Sequence, residues 1–131
     1  MSVSPASGQT EIGGRPFTIN LTGAAEVPGP GDPDASGTAT LTVNPGLEQV
    51  CWTIETEGIE EEGVSITVAH IHPGSSTQAL PPLVDLDPVS GGCTTVSREL
   101  AVDIITNPGS YYVNVHSTEF PAGAIRGQLD S

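Results

Sequence analysis

The sequence predicts an all-β domain folded as an Ig-like Greek-key sandwich or barrel. It contains 16 Gly and 12 Pro while only 15% of its residues are charged, a composition typical of short strands joined by turns. Residues 17–22 alternate apolar and polar positions, so Phe17, Ile19 and Leu21 share one face of a half-buried strand. About seven such strands fit the chain, as in sandwiches and small barrels.

A hairpin is predicted next along the chain. Residues 36–43 and 49–56 alternate in the same way on either side of Asn44-Pro45-Gly46, which is a turn sequence. The apolar positions of these two strands are expected in the core, namely Leu41, Val43, Val50, Trp52 and Ile54.

The second half of the chain predicts four further strands, over residues 64–72, 93–96, 110–116 and 124–129. Residues 73–92 are predicted as a loop. Residues 98–106 are ambiguous, because Ser97 suits the cap of a short helix with Leu100 and Ile104 inward, while the Val and Ile content also suits a strand.

The length of 131 residues fits one domain. Residues 1–15 are small and polar and are predicted as a flexible N-terminal segment, with the β domain over residues 16–131. Apolar stretches are too short to span a bilayer, so no membrane insertion is expected.

The charge of the chain is strongly negative. The chain has sixteen acidic residues and only three basic ones, Arg15, Arg98 and Arg126, which gives a formal charge of −13. Such a chain repels polyphosphates and anionic lipid surfaces, so nucleic acid is excluded as a partner, while the acidic surface is consistent with a saline or extracellular setting as well as with an attraction for cations.

The two cysteines, Cys51 and Cys93, lack the CxxC spacing of a zinc or redox motif. We predict a disulfide between them, the alternative being two buried free thiols. A disulfide would place the protein outside a reducing cytoplasm, in the periplasm or secreted.

The three histidines of the chain predict a metal site. His70 and His72 are two apart, so in a strand they share one face with α-carbons roughly 6 to 7 Å apart. His116, from another predicted strand, would complete a three-imidazole site. The alternative is that all three are ordinary half-buried residues.

Strand parity complicates this site. His70 and His72 share parity with the apolar Ile66 and Val68, whereas His116 shares parity with polar positions. Either a β-bulge before Ala69 switches the faces, or the histidines lie at a barrel end where both faces reach solvent.

Four motifs resemble the CHRD domain family, which is named for chordin and is also widespread in bacterial extracytoplasmic proteins. They are residues 21–28 (LTGAAEVP), 69–74 (AHIHPG), 107–117 (NPGSYYVNVHS) and 120–129 (FPAGAIRGQL). The resemblance runs from about Phe17 to Leu129 and departs at Gly29, where many members have a second proline.

CHRD domains are in turn similar to copper-zinc superoxide dismutases, which are Ig-like Greek-key barrels. This resemblance implies that His70, His72 and His116 bind copper and that Arg126 lies beside it to guide anions. The sequence has no fourth histidine to bridge a zinc ion, so one copper ion is implied, with zinc second in preference. Its fourth ligand would be water or a carboxylate, for which Glu26 is the candidate.

Three functions follow from these observations. The leading one is an extracytoplasmic copper-binding protein that stores, carries or buffers copper. A dismutase-like copper enzyme would use the same site with an open coordination position. A non-enzymatic protein-interaction module, as in chordin, would use the histidines for structure alone.

Overall fold

Eight antiparallel strands form one sheet that curls into a nearly closed barrel, which confirms the predicted all-β class. The computed structural model describes residues 14–27, 29–60 and 63–129. The strands are β1 (Arg15–Thr22), β2 (Ser36–Asn44), β3 (Gln49–Glu57), β4 (Ile66–Pro73), β5 (Val84–Leu86), β6 (Gly92–Thr95), β7 (Tyr111–Ser117) and β8 (Ile125–Gln128). One helix, α1 (Arg98–Thr106), and the 3-10 turns Gly23–Ala25 and Pro108–Ser110 complete the elements. Of the segment predicted as flexible, residues 1–13 lie outside the described residues, and β1 begins at Arg15.

The order of strands across the sheet is β5-β4-β7-β8-β1-β2-β3-β6. Strands β1, β2 and β3 are consecutive antiparallel neighbours, whereas β3 pairs with β6 and β4 pairs with β7. Such non-sequential neighbours are typical of a Greek key. Strands β5 and β6 are the two edges of the sheet, and β4 with β7 carries all three histidines.

The core follows the predicted alternation. Phe17, Ile19 and Leu21 of β1 are buried, and Ile19 lies opposite the equally buried Ala39 of β2. All five core positions predicted for the β2–β3 hairpin are buried as well: Leu41, Val43, Val50, Trp52 and Ile54. Period-2 patterning therefore identified the inward face of the first three strands.

The structure shows what two segments in the second half of the chain form, the predicted loop of residues 73–92 and the ambiguous residues 98–106. The predicted loop of residues 73–92 contains β5, whose three residues are too few to produce a recognisable alternation. Residues 98–106 form a helix, with the Ser97 hydroxyl accepting from the Leu100 N–H at 3.1 Å and Ile104 fully buried. No helix in the described part of the chain is long and apolar enough to cross a membrane.

The cysteine pair links an edge strand to its neighbour. Cys51 of β3 lies directly opposite Cys93 of β6, and their sulfur atoms are at bonding distance. The link closes a segment with a sequence separation of 42 and lies on strands other than those that carry the histidines.

Candidate metal centre

A β-bulge in β4 decides which face its histidines occupy. The register of β4 against β7 shifts between Ile66 and Ala69, with one extra residue on β4. Beyond the bulge, Ala69 and Ile71 point into the core with exposures of 1% and 0%. His70 and His72 therefore lie on the outer face of the barrel, and of the two alternatives that strand parity left open, the bulge before Ala69 is present.

The paired strands bring the three histidines, here called the histidine cluster, close together. His70 lies opposite Asn114 of β7, and His116 is two residues further along β7 on the same face. The ring centroid of His70 is 5.4 Å from that of His72 and 5.1 Å from that of His116. One nitrogen from each ring lies within 4.8 Å of the other two, which is a spacing that can hold a metal ion.

The hydrogen bonds of two rings assign their tautomers. His72 Nδ1 lies 2.6 Å from the carbonyl oxygen of Leu80, and His116 Nδ1 lies 2.9 Å from that of Pro121. A carbonyl oxygen only accepts, so both Nδ1 atoms carry the proton and donate. In the neutral rings Nε2 then holds a lone pair directed at the cluster.

The ring of His70 is turned the other way, with Nδ1 rather than Nε2 facing the cluster. Its Nε2 lies 3.4 Å from the Asp85 carboxylate on β5, while its Nδ1 lies 3.3 Å from Nε2 of His116. With its proton on Nε2, facing Asp85, the His70 ring directs its Nδ1 lone pair at the cluster; with its proton on Nδ1, it donates to Nε2 of His116. The rings of His72 and His116 have their other nitrogen held by a carbonyl oxygen, as metal-ligating histidines do, and His70 presents Nδ1 to the same place.

The local environment favours the neutral form of His70 and His72, because it lowers the pKa of both rings. Burial lowers the pKa of His70, and the nearby His116 and His72 lower it further, against the opposing effect of Asp85. Burial also lowers the pKa of His72, although its hydrogen bonds to Leu80 and Asn114 act in the other direction. A neutral imidazole is the form that binds metals.

Asn114 is a polar residue of this site that the sequence did not identify. It is 3% exposed, and its Oδ1 lies 2.9 Å from His72 Nε2 and 3.1 Å from His116 Nε2. The only sequence signal was its parity with His116 on the same strand. Its carboxamide also bonds the side chain of Glu26.

Glu26 interacts with Asn114 and is not among the residues whose ligand atoms converge in the histidine cluster. Burial raises the pKa of its carboxyl group to about 7, against the opposing effects of Arg126 and the Asn114 hydrogen bond. A Cβ at Gly123 would lie 2.6 Å from this carboxyl group, so the carboxyl group packs closely against the Gly123 backbone. Its Oε2 atom is buried without a hydrogen-bond partner.

Arg126 is buried and anchors a loop, which differs from the predicted role of guiding anions. Residues 74–83, here called the covering loop, fold over the outer face of β7 and β8. The guanidinium donates to the carbonyl oxygens of Ser75 and Gln78, both at 2.6 Å, and lies 3.4 Å from the centre of the Tyr112 ring. With 1% of its surface exposed, this side chain presents no free N–H group to solvent.

The fold and the site together define a Greek-key β-barrel protein with a candidate metal centre of three imidazoles on its outer face. Comparison with family models gives a match to the CHRD domain over residues 17–129. The chain therefore belongs to the CHRD domain family, as its four motifs predicted. Neither the curated proteins nor the solved structures give a match.

Proposed function

We propose that this CHRD domain binds one copper ion through Nδ1 of His70, Nε2 of His72 and Nε2 of His116. The observation that carries the proposal is the convergence of one nitrogen from each of three imidazole rings within 4.8 Å, with two of the rings held by a carbonyl oxygen on the other nitrogen. Imidazole nitrogens gathered at this spacing fit a divalent transition metal.

The donor set favours copper over the other divalent ions. Neutral imidazoles suit copper, zinc and nickel, and the affinity of a given site peaks at Cu²⁺ in the first-row series. Thiolates do not contribute, because Cys51 and Cys93 are paired on β3 and β6. We therefore place zinc second.

The proposed role is copper storage, carriage or buffering. A dismutase would gain from an exposed cation beside the metal, because superoxide is an anion. Arg126 is committed to the carbonyl oxygens of Ser75 and Gln78 instead. This arrangement favours copper handling over the dismutase alternative.

We propose an extracytoplasmic location, periplasmic or secreted. The cysteine pair at disulfide distance is the supporting observation, since such bonds persist in oxidising compartments. Membership of the CHRD family agrees with it.

A competition titration tests the copper site. Wild-type protein should bind one equivalent of Cu²⁺ more tightly than Zn²⁺, Ni²⁺ or Co²⁺. The variant carrying both His70→Ala and His116→Ala should lose this site, and its residual binding measures copper held by surface carboxylates. Equal copper affinity of the two proteins would overturn the proposal.

Two assays separate the alternatives. Superoxide turnover by the copper-loaded protein, compared with the same concentration of free copper, should show no excess; turnover well above that control would favour the dismutase. Metal-free protein that fails to take up copper at all would favour the interaction module.

A further inference from the structure

We propose that Asn114 supplies a fourth ligand to the same ion through its carboxamide oxygen. The inference rests on the proposed copper site and names a residue that takes the place predicted for Glu26. It stands on three observations: the contacts of Oδ1, the orientation of the carboxamide, and the burial of Asn114.

The first observation is a conflict between acceptors. Oδ1 of Asn114 faces Nε2 of His72 at 2.9 Å and Nε2 of His116 at 3.1 Å. Both nitrogens hold lone pairs, because the Nδ1 proton of each ring is donated to a backbone carbonyl. Two acceptors at such distances repel unless a proton or a cation lies between them.

Protons cannot resolve this conflict cheaply. Donation from both Nε2 atoms to Oδ1 would require His72 and His116 each to carry a second proton. That would place two imidazolium rings side by side, with centroids 6.4 Å apart, in a site where His72 is 6% exposed. One metal ion bound by both nitrogens and by Oδ1 removes the repulsion without adding two like charges.

The second observation fixes which end of the carboxamide faces the histidines. Oδ1 of Asn114 is the atom that faces both rings, and the hydrogen bond from Asn114 lowers the pKa of the Glu26 carboxyl group, as a donor does, so the amide nitrogen is the end near Glu26. A Cβ atom added at Gly31 or at Gly123 would lie within 2.7 Å of the Glu26 side chain, so the backbone at both glycines packs closely against that side chain. Glu26 is therefore a positioning residue that turns Oδ1 of Asn114 toward the ion.

The third observation concerns the character of the ligand. Asn114 is 3% exposed, so water does not compete freely for the position that Oδ1 occupies. An amide oxygen is a neutral and weak ligand, of the kind that tunes copper sites from an axial position. Three imidazoles and one amide oxygen form a site that favours Cu²⁺ over Cu⁺, because oxygen is the harder donor.

The test compares the electron paramagnetic resonance spectrum and the affinity of Cu²⁺ in four proteins. Asn114→Leu is nearly isosteric and removes the oxygen. The double variant Glu26→Gln with Asn114→Asp keeps the hydrogen bond with its donor and acceptor exchanged, and places an anionic oxygen at the cluster. Asn44→Leu is the matched control beside wild type, since Asn44 is a buried asparagine on β2, which does not pair with β4 or β7.

We expect Asn114→Leu to weaken Cu²⁺ binding about tenfold and the double variant to tighten it about tenfold, each with a changed copper hyperfine splitting. The Asn44→Leu control should retain the wild-type spectrum. If the Leu variant does not fold, the double variant decides alone. Wild-type spectra and affinities in the Asn114 variants would overturn the ligand while leaving the three-histidine site intact, whereas a wild type that binds no copper would overturn both.

Discussion

The ring of Tyr112 lies parallel to the ring of His72, with centroids 4.7 Å apart and planes 4° from each other. The two residues are directly opposite in the β4–β7 ladder. The Tyr112 hydroxyl also accepts from the Leu80 N–H at 3.2 Å, next to the Leu80 carbonyl that holds His72 Nδ1. Tyr112 therefore limits rotation of His72 on one side, and the covering loop limits it on another.

Replacing the tyrosine ring should weaken metal binding. We expect Tyr112→Leu to lower the copper affinity roughly tenfold, because His72 gains freedom that binding must then remove. Tyr112→Phe is the matched control, since it keeps the stacked ring and loses only the hydroxyl. Isothermal titration with Cu²⁺ measures both, and an equal loss in the two variants would show that the hydroxyl acts rather than the ring.

Copper should stabilise the folded barrel. Free copper at 100 times its dissociation constant adds about 2.7 kcal/mol to the free energy of unfolding if only the folded state binds. Thermal unfolding at increasing copper should therefore shift steadily upward in wild type. The same series with His116→Ala should show little shift, and an equal shift in that variant would contradict a site that includes His116.

The stability of metal-free protein should depend on Glu26 protonation. Its pKa rises from 4.5 to about 7 on folding, so between these pH values the folded state binds more protons than the unfolded state. The contribution of Glu26 is thus largest below pH 4.5 and falls as pH rises to about 7, by up to about 3 kcal/mol.

Comparison with Glu26→Gln isolates this effect. The lowered pKa values of His70 and His72 act with the opposite sign in an overlapping pH range, but they are common to both proteins. We expect the Gln variant to gain stability relative to wild type as pH rises from 5 to 8 in denaturant titrations. A constant difference across that range would be the contrary result.

Arg126 should matter for the covering loop. Arg126→Met leaves the carbonyl oxygens of Ser75 and Gln78 without their donor, at a cost of about 3 kcal/mol. Limited proteolysis should then cut residues 74–83 faster. The exposed Arg98 offers the control Arg98→Met, for which the cleavage rate should stay at the wild-type value.

The disulfide should contribute to stability and not to metal binding. Closing a segment with a sequence separation of 42 stabilises by about 4 kcal/mol in the chain-entropy model. Cys51→Ser with Cys93→Ser should lower the free energy of unfolding by that order and leave the copper affinity unchanged. Peptide mass spectrometry under non-reducing conditions should find the two cysteines joined.

Local patterns predicted much of the fold. The alternation of apolar and polar residues from Phe17 to Leu21 and across the β2–β3 hairpin identified strands and their buried faces, because this pattern depends only on residues close together in sequence. The i, i+2 spacing of His70 and His72 likewise predicted a shared face. Strand β5 was not predicted, since three residues are too few to show an alternating pattern.

The surroundings of the site depend on contacts distant in sequence. Arg126 is buried because the covering loop, about 50 positions earlier in the chain, folds over it. Glu26 meets Asn114 across a longer gap of 88 positions. The bulge before Ala69 was an inference from conflicting parities, and only the register with β7 locates it.

The sheet has two edge strands, β5 and β6, and each is linked to its neighbouring strand by a different side-chain contact. Cys51 and Cys93 link β6 to β3 at disulfide distance, while the carboxylate of Asp85 on β5 contacts the His70 ring on β4. A reductant therefore frees one edge strand, and loss of the Asp85–His70 contact frees the other. Either event exposes backbone groups at an open sheet edge, where strands of other chains can pair, so both links protect the barrel from aggregation.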